Sequence, residues 1–180
     1  MLPNYEACIK SAWEELLAWT KADKIHPTCE EEIQCFLYHS LVSQIGDAKY
    51  IKPKVGFKGA ARKQYFPDFI LGQGNDVVVE IKFSYLSANS LAKQAGISAC
   101  LRDIEKMQTD FPKSKRYFLL FETSEAGNSL SNLDEVYLAA LQKADPDCNI
   151  LHYPQKLLAW AEMNAHQKRY RNEWKAKLNC

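Results

Sequence analysis

Hydrophobic positions along the chain alternate between two periods. Tyr5, Cys8, Ile9, Ala12, Trp13, Leu16 and Leu17 recur three and four residues apart, which predicts an amphipathic helix over 4–20. Thr28 stands where an N-cap is wanted, with Glu31 as its capping-box partner. The apolar face Ile33, Phe36, Leu37, Leu41 and Ile45 then runs to a stop at Gly46. Beyond Gly46 the period shortens. Residues 50–57 read as a strand, and Pro53 places it near a sheet edge. The apolar runs 66–71 and 77–83 flank Gly72-Gln73-Gly74-Asn75-Asp76, which predicts a hairpin. Helical spacing returns over 90–111 through Ile97, Leu101, Ile104 and Phe111, with Gly96 delaying the start. A strand at 117–121, a helix at 133–141 and a strand at 150–153 follow, and Pro154 suits the first turn of a last helix.

This order, without repeats or long linkers, predicts one α/β domain over residues 1–180. The helix at 90–111 is long enough to be a crossover, so the strands on either side of it can pair in parallel. The sheet is then mixed. Apolar residues on both faces of the hairpin call for helices on each side.

Composition narrows the class. The 180 residues are 47% hydrophobic and 25% charged, which excludes disordered, collagenous and coiled-coil chains. No apolar run approaches the ~20 residues that span a bilayer. The first ten residues hold an acid and no apolar core, so no signal peptide is expected. The expectation is a soluble, cytoplasmic protein with no membrane partner. A net charge of +1 means that a nucleic-acid surface must come from segregated charge. The six cysteines include no C-x-x-C and read as reduced and structural. Cys35 and His39 have a spacing that a metal could use, but without a second pair they read as a buried thiol and a helix histidine.

The hairpin carries the chemistry. With its centre at Gly74, residues whose numbers sum to 148 face each other: Asp68 opposite Glu80, Ile70 opposite Val78, Phe66 opposite Lys82. Cβ atoms in such pairs lie ~5 Å apart. Alternation sets Asp68, Glu80 and Lys82 on one face, and Phe69, Leu71, Val77, Val79 and Ile81 on the other. Two carboxylates this close repel unless a cation lies between them, and Mg2+ suits carboxylate oxygens and an incomplete protein shell. The competing accounts are a buried salt-bridge cluster and an exposed edge with ordinary charges. An exposed edge would explain Lys82 but not its apolar neighbours.

Pro67-Asp68, eleven intervening residues and then Glu80-Ile81-Lys82 resemble the PD-(D/E)XK signature of the restriction-endonuclease-like nucleases. That family's order of acid-bearing helix, three-strand meander, helix and further strand is supplied by residues 28–121, about half of the chain. The resemblance implies a restriction-endonuclease-like core. It implies that Asp68 and Glu80 bind the metal, with the Ile81 carbonyl as a third ligand. Lys82 would orient or deprotonate the attacking water and offset phosphate charge. The metal would be Mg2+, with Mn2+ as a substitute, lowering the pKa of bound water. The implied activity is endonucleolytic hydrolysis of DNA in a restriction, repair or mobile-element system, with RNA left open. The family's fourth acid comes from the preceding helix. Glu30 shares the face of Ile33, Phe36, Leu37 and Leu41, whereas Glu31 points away and Glu32 lies at the margin. All three acids would equally complement a helix N-terminus without any metal.

Lys49, Lys52, Lys54, Lys58, Arg62 and Lys63 form a run without an acid, bordered by Tyr50, Phe57 and Tyr65. Lys54, Lys58, Arg62 and Lys63, with Gln94 from the next helix, are the candidate nucleic-acid contacts. The alternative is a lysine-rich edge that blocks strand pairing. The last helix, with Lys168, Arg169, Arg171, Lys175 and Lys177, is either DNA-facing or solvated. Asp103 and Lys106 read as a surface pair. Two other readings stand beside the nuclease: a DNA-binding module without turnover, and a protein-interaction subunit that an exposed Trp13, Trp19 or Trp160 would favour. A homodimer or a separate target-recognition subunit fits the nuclease reading.

Overall fold

The computed structural model describes residues 3–22, 24–25, 27, 29–53, 67–86, 90–124 and 131–156. Of these, 84–86, 90–96, 122–124, 131–137 and 154–156 are described by backbone alone. Helix α1 (Tyr5–Lys21) is capped by Asn4, whose side chain accepts the Ala7 N–H at 3.2 Å. It buries Tyr5, Ile9, Ala12, Trp13, Leu16 and Thr20. Helix α2 (Glu30–Ile45) begins after an extended Cys29 that makes no side-chain cap. Three acids in its first turn, Glu30, Glu31 and Glu32, complement the helix dipole. Thr28 lies outside the described residues. Gly46 ends α2 in the left-handed region, at φ 77°, and donates its N–H to the Val42 carbonyl. Because Ile33, Leu37 and Leu41 face inward, Cys35 is exposed, as is His39, and the expectation of a buried thiol there is corrected.

A single 3-10 turn, Ala48–Tyr50, leads into β1 (Ile51–Pro53), β2 (Phe69–Leu71) and β3 (Val77–Leu86). The hairpin pairs Phe69 with Val79, Ile70 with Val78 and Leu71 with Val77, the register predicted about Gly74. Gly72 is required in the connecting turn. It has φ +85°, and a Cβ there would lie 1.9 Å from an Asp76 carboxylate oxygen. Helix α3 (Ser90–Asp110) then crosses to β4 (Lys115–Ser124), which pairs in parallel with β3 over its whole length. Gly96 does not delay α3. Helix α4 (Ser131–Ala144) returns the chain to β5 (Cys148–Lys156), parallel to β4. Pro154 belongs to this strand rather than to a helix, and an edge strand tolerates it. The predicted last helix beyond 156 lies outside the described residues.

The sheet order is β1-β2-β3-β4-β5, antiparallel through β3 and parallel beyond it. Val77, Val79 and Ile81 of β3 and Tyr117, Leu119 and Phe121 of β4, with Phe69 and Leu71, pack against α1 and α2. Even positions Val78, Phe118 and Leu120 pack against Cys100, Ile104 and Met107 of α3 and Leu141 of α4. The mixed, doubly covered α/β sheet predicted from the sequence is thus present. Arg116, at the start of β4, meets Asp145, between α4 and β5, in a fork of two hydrogen bonds, both side chains being buried. No helix of the described residues is long and apolar enough to cross a membrane.

Candidate metal-binding site

The site arises where β2 and β3 part. β3 is ten residues long and β2 three, and their pairing ends at Phe69 and Val79. The next hydrogen-bonded pair would set Pro67 opposite Ile81, and proline has no N–H to donate to the Ile81 carbonyl. The Ile81 N–H goes to the Asp68 carboxylate, Oδ2 lying 2.7 Å away. In an extended strand a residue's N–H and carbonyl point to the same edge, so the Ile81 carbonyl also faces this opening. Asp68, which the predicted register sets opposite Glu80, lies in a bend before β2, outside the ladder.

Asp68 and Glu80 are each only 1% exposed. Burial of two carboxylates is costly unless both are paired. Glu80 Oε1 lies 2.7 Å from Lys82 Nζ, two residues along the same strand face. Lys82 also reaches Asp103 Oδ2 of α3 at 3.3 Å and Glu30 Oε2 of α2 at 3.8 Å. Helices from opposite layers therefore converge on one ammonium group. Burial works against that charge, but Glu80, supported by Glu30 and Asp103, outweighs it and lifts the Lys82 pKa above the usual lysine range.

Gln34, one turn after Glu30 on α2, completes the cluster. Its Nε2 donates to Asp68 Oδ1 at 2.9 Å and to Glu30 Oε1 at 3.3 Å. Asp103 is bound in turn by Lys106 at 2.9 Å. Glu30, Asp68, Glu80 and Asp103 thus gather around Lys82 and Gln34, with Lys106 on the outer side of Asp103.

Among the described residues no three His, Cys, Asp or Glu side chains converge closely enough to hold a metal by themselves. Two buried carboxylates beside a backbone carbonyl are a different donor set. They suit a hard cation that retains several waters, as Mg2+ does.

Asp68, Glu80, Lys82 and Glu30 are brought together with the Ile81 backbone. Lys54, Lys58, Arg62 and Lys63 lie outside the described residues, and Gln94 lies in α3 with only its backbone described. The sequence points to Asp103 only as half of a surface pair, and Gln34 is not among its candidates. Asp103 does form the expected pair with Lys106, but it also faces Lys82 and is largely buried. Its place beside Cys100, Ile104 and Met107, the inward face of α3, was the available signal.

Comparison with known proteins gives no match to any family model, curated protein or solved structure.

Proposed function

We propose that this protein is a metal-dependent nuclease that hydrolyses phosphodiester bonds in DNA, with Asp68, Glu80 and the Ile81 carbonyl as the Mg2+ ligands. One observation carries the reading: two carboxylates, each 1% exposed, flank an open strand edge with a lysine in contact. The element order supports it. An acid-bearing helix, a three-strand meander, a crossover helix and a parallel strand follow one another, as in the restriction-endonuclease-like core that the sequence motif resembles.

Each residue has a task in this reading. Asp68 and Glu80 hold the ion, Glu30 adds negative charge on the α2 side, and Lys82 offsets the charge of the scissile phosphate and donates to the attacking water. The bound ion supplies a lowered water pKa and charge neutralisation in the transition state. Lys54, Lys58, Arg62, Lys63 and Gln94 are the proposed strand contacts. A homodimer or a recognition subunit supplies the second cut or the target in a restriction, repair or mobile-element setting.

The test is cleavage of supercoiled plasmid and single-stranded DNA with Mg2+, Mn2+ or EDTA, comparing wild type with Asp68→Ala and Lys82→Ala. Metal-dependent cutting lost in both variants is the expected result. Cutting that survives both changes would move the active centre elsewhere.

One observation favours a second reading, that of a non-catalytic interaction subunit. Trp19 is 41% exposed, edge-on to Phe36, with Lys24 Nζ 5.6 Å from its ring centre. Trp13, by contrast, is buried. DNA binding or partner capture without any metal-dependent cleavage would select that alternative.

A further inference from the structure

Gln34 occupies an unusual position for a neutral side chain. Its Nε2 touches a carboxylate from the hairpin, Asp68 Oδ1, and one from α2, Glu30 Oε1, at 2.9 and 3.3 Å. Only the donor end of an amide fits between two carboxylate oxygens, since its own oxygen would be repelled by both. A single nitrogen therefore links helix and hairpin through one carboxylate of each. The amide brings only partial positive charge, whereas Lys82 brings a full charge to Glu80 and, at 3.8 Å, to Glu30.

We infer that Gln34 is a positioning residue that competes with the cation: its amide bridges Asp68 and Glu30 and gives way when a divalent ion binds. Amide and ion then compete for the same carboxylate oxygen. This inference rests on the reading of Asp68 as a metal ligand. It adds that the metal affinity of the site is set by a residue that never touches the metal.

The full chain is titrated with Mn2+ alone, following thermal unfolding together with the loss of the free-ion electron paramagnetic resonance signal. Wild type is expected to bind Mn2+ and to be stabilised by it, with both effects lost in Asp68→Asn. Gln34→Ala is expected to melt lower without metal, yet to bind Mn2+ about tenfold more tightly, because the competing charge-assisted hydrogen bond is gone. Gln34→Lys is expected to melt higher without metal and to lose the Mn2+ response. Gln34→Met, closer in volume and without a donor, carries the same expectation as Ala should the smaller side chain prevent folding. A purely structural Gln34 would lower both melting points equally and leave Mn2+ affinity unchanged. That result overturns the inference and leaves the metal-binding reading standing. A wild type with no Asp68-dependent Mn2+ response removes both.

Discussion

The Asp68 carboxylate accepts the backbone N–H of Ile81 at 2.7 Å, so a side chain replaces the strand that would otherwise have paired there. The bond fixes one proposed metal ligand to the residue that offers another. It also ties the acid to β3 whether or not an ion is present.

Asp68→Asn should separate folding from chemistry. The amide oxygen can still accept from Ile81, but its NH2 then meets the NH2 of Gln34. A stability loss of about 1–2 kcal/mol is expected from that mismatch, as for a hydrogen bond to a charged group removed. Cleavage should fall at least about 100-fold, because a neutral amide is a poor partner for a hard cation. Urea unfolding and plasmid nicking, measured on the same preparation, give the two numbers.

Lys82→Ala deprives the buried Glu80 of its closest cation. Breaking a buried pair from one side costs about 3 kcal/mol or more. Added Mg2+ should recover part of that loss in stability without restoring cleavage. If Mg2+ left the melting point of this variant unchanged, Glu80 would not be a ligand.

Asp103→Asn tests the α3 side of the cluster. Lys82 retains Glu80 and Glu30, so stability should change by no more than about 1 kcal/mol. The ammonium loses one of the groups that aim it, and kcat is expected to fall about tenfold with KM nearly unchanged. Equal effects on both constants would assign Asp103 to substrate binding instead.

The Arg116 and Asp145 pair lies at the start of β4 and should be purely architectural. Asp145 is fully buried and also accepts the Asp147 N–H at 3.1 Å. Asp145→Ala is expected to cost about 3–5 kcal/mol, since it leaves a buried guanidinium with backbone carbonyls and the more distant Asp147 in place of its paired carboxylate. Mn2+ affinity in the fraction that remains folded should match wild type.

Cys148 provides a pH test. Burial pushes its thiol up to about 12, Asp145 adding to the shift and Arg116 opposing it. The folded protein thus favours the neutral thiol, whereas the unfolded chain ionises near the ordinary value of 9.0. This contribution to stability is complete below about pH 9 and falls as pH rises towards 12. Cys148→Ala should flatten that alkaline decline. In mildly alkaline buffer iodoacetamide should label exposed Cys35 in the native protein and spare Cys148.

The sequence made the hairpin legible because a side-chain period of two and a glycine-rich turn leave one register that buries Val77, Val79 and Ile81 together. Glu30 was accessible for a similar reason, as a helix face is periodic. Asp103 was hidden because i, i+3 pairing with Lys106 is what an ordinary surface helix shows, and its second contact depends on how α3 lies across β3. Gln34 carries no charge and so drew no attention. Pro154 was misassigned because proline suits both a first helical turn and an edge strand, and only the parallel pairing with β4 decides between them.

Pro67 has a consequence beyond its own conformation. Any residue with an N–H at that position could donate to the Ile81 carbonyl, and the hairpin would zip up by one more pair. Ile81 would then exchange its bond to the Asp68 carboxylate for a backbone one, and the carbonyl edge would be sealed. Pro67→Ala should therefore give a more regular sheet and a poorer ion trap, a gain in order that erases the opening where the two strands diverge.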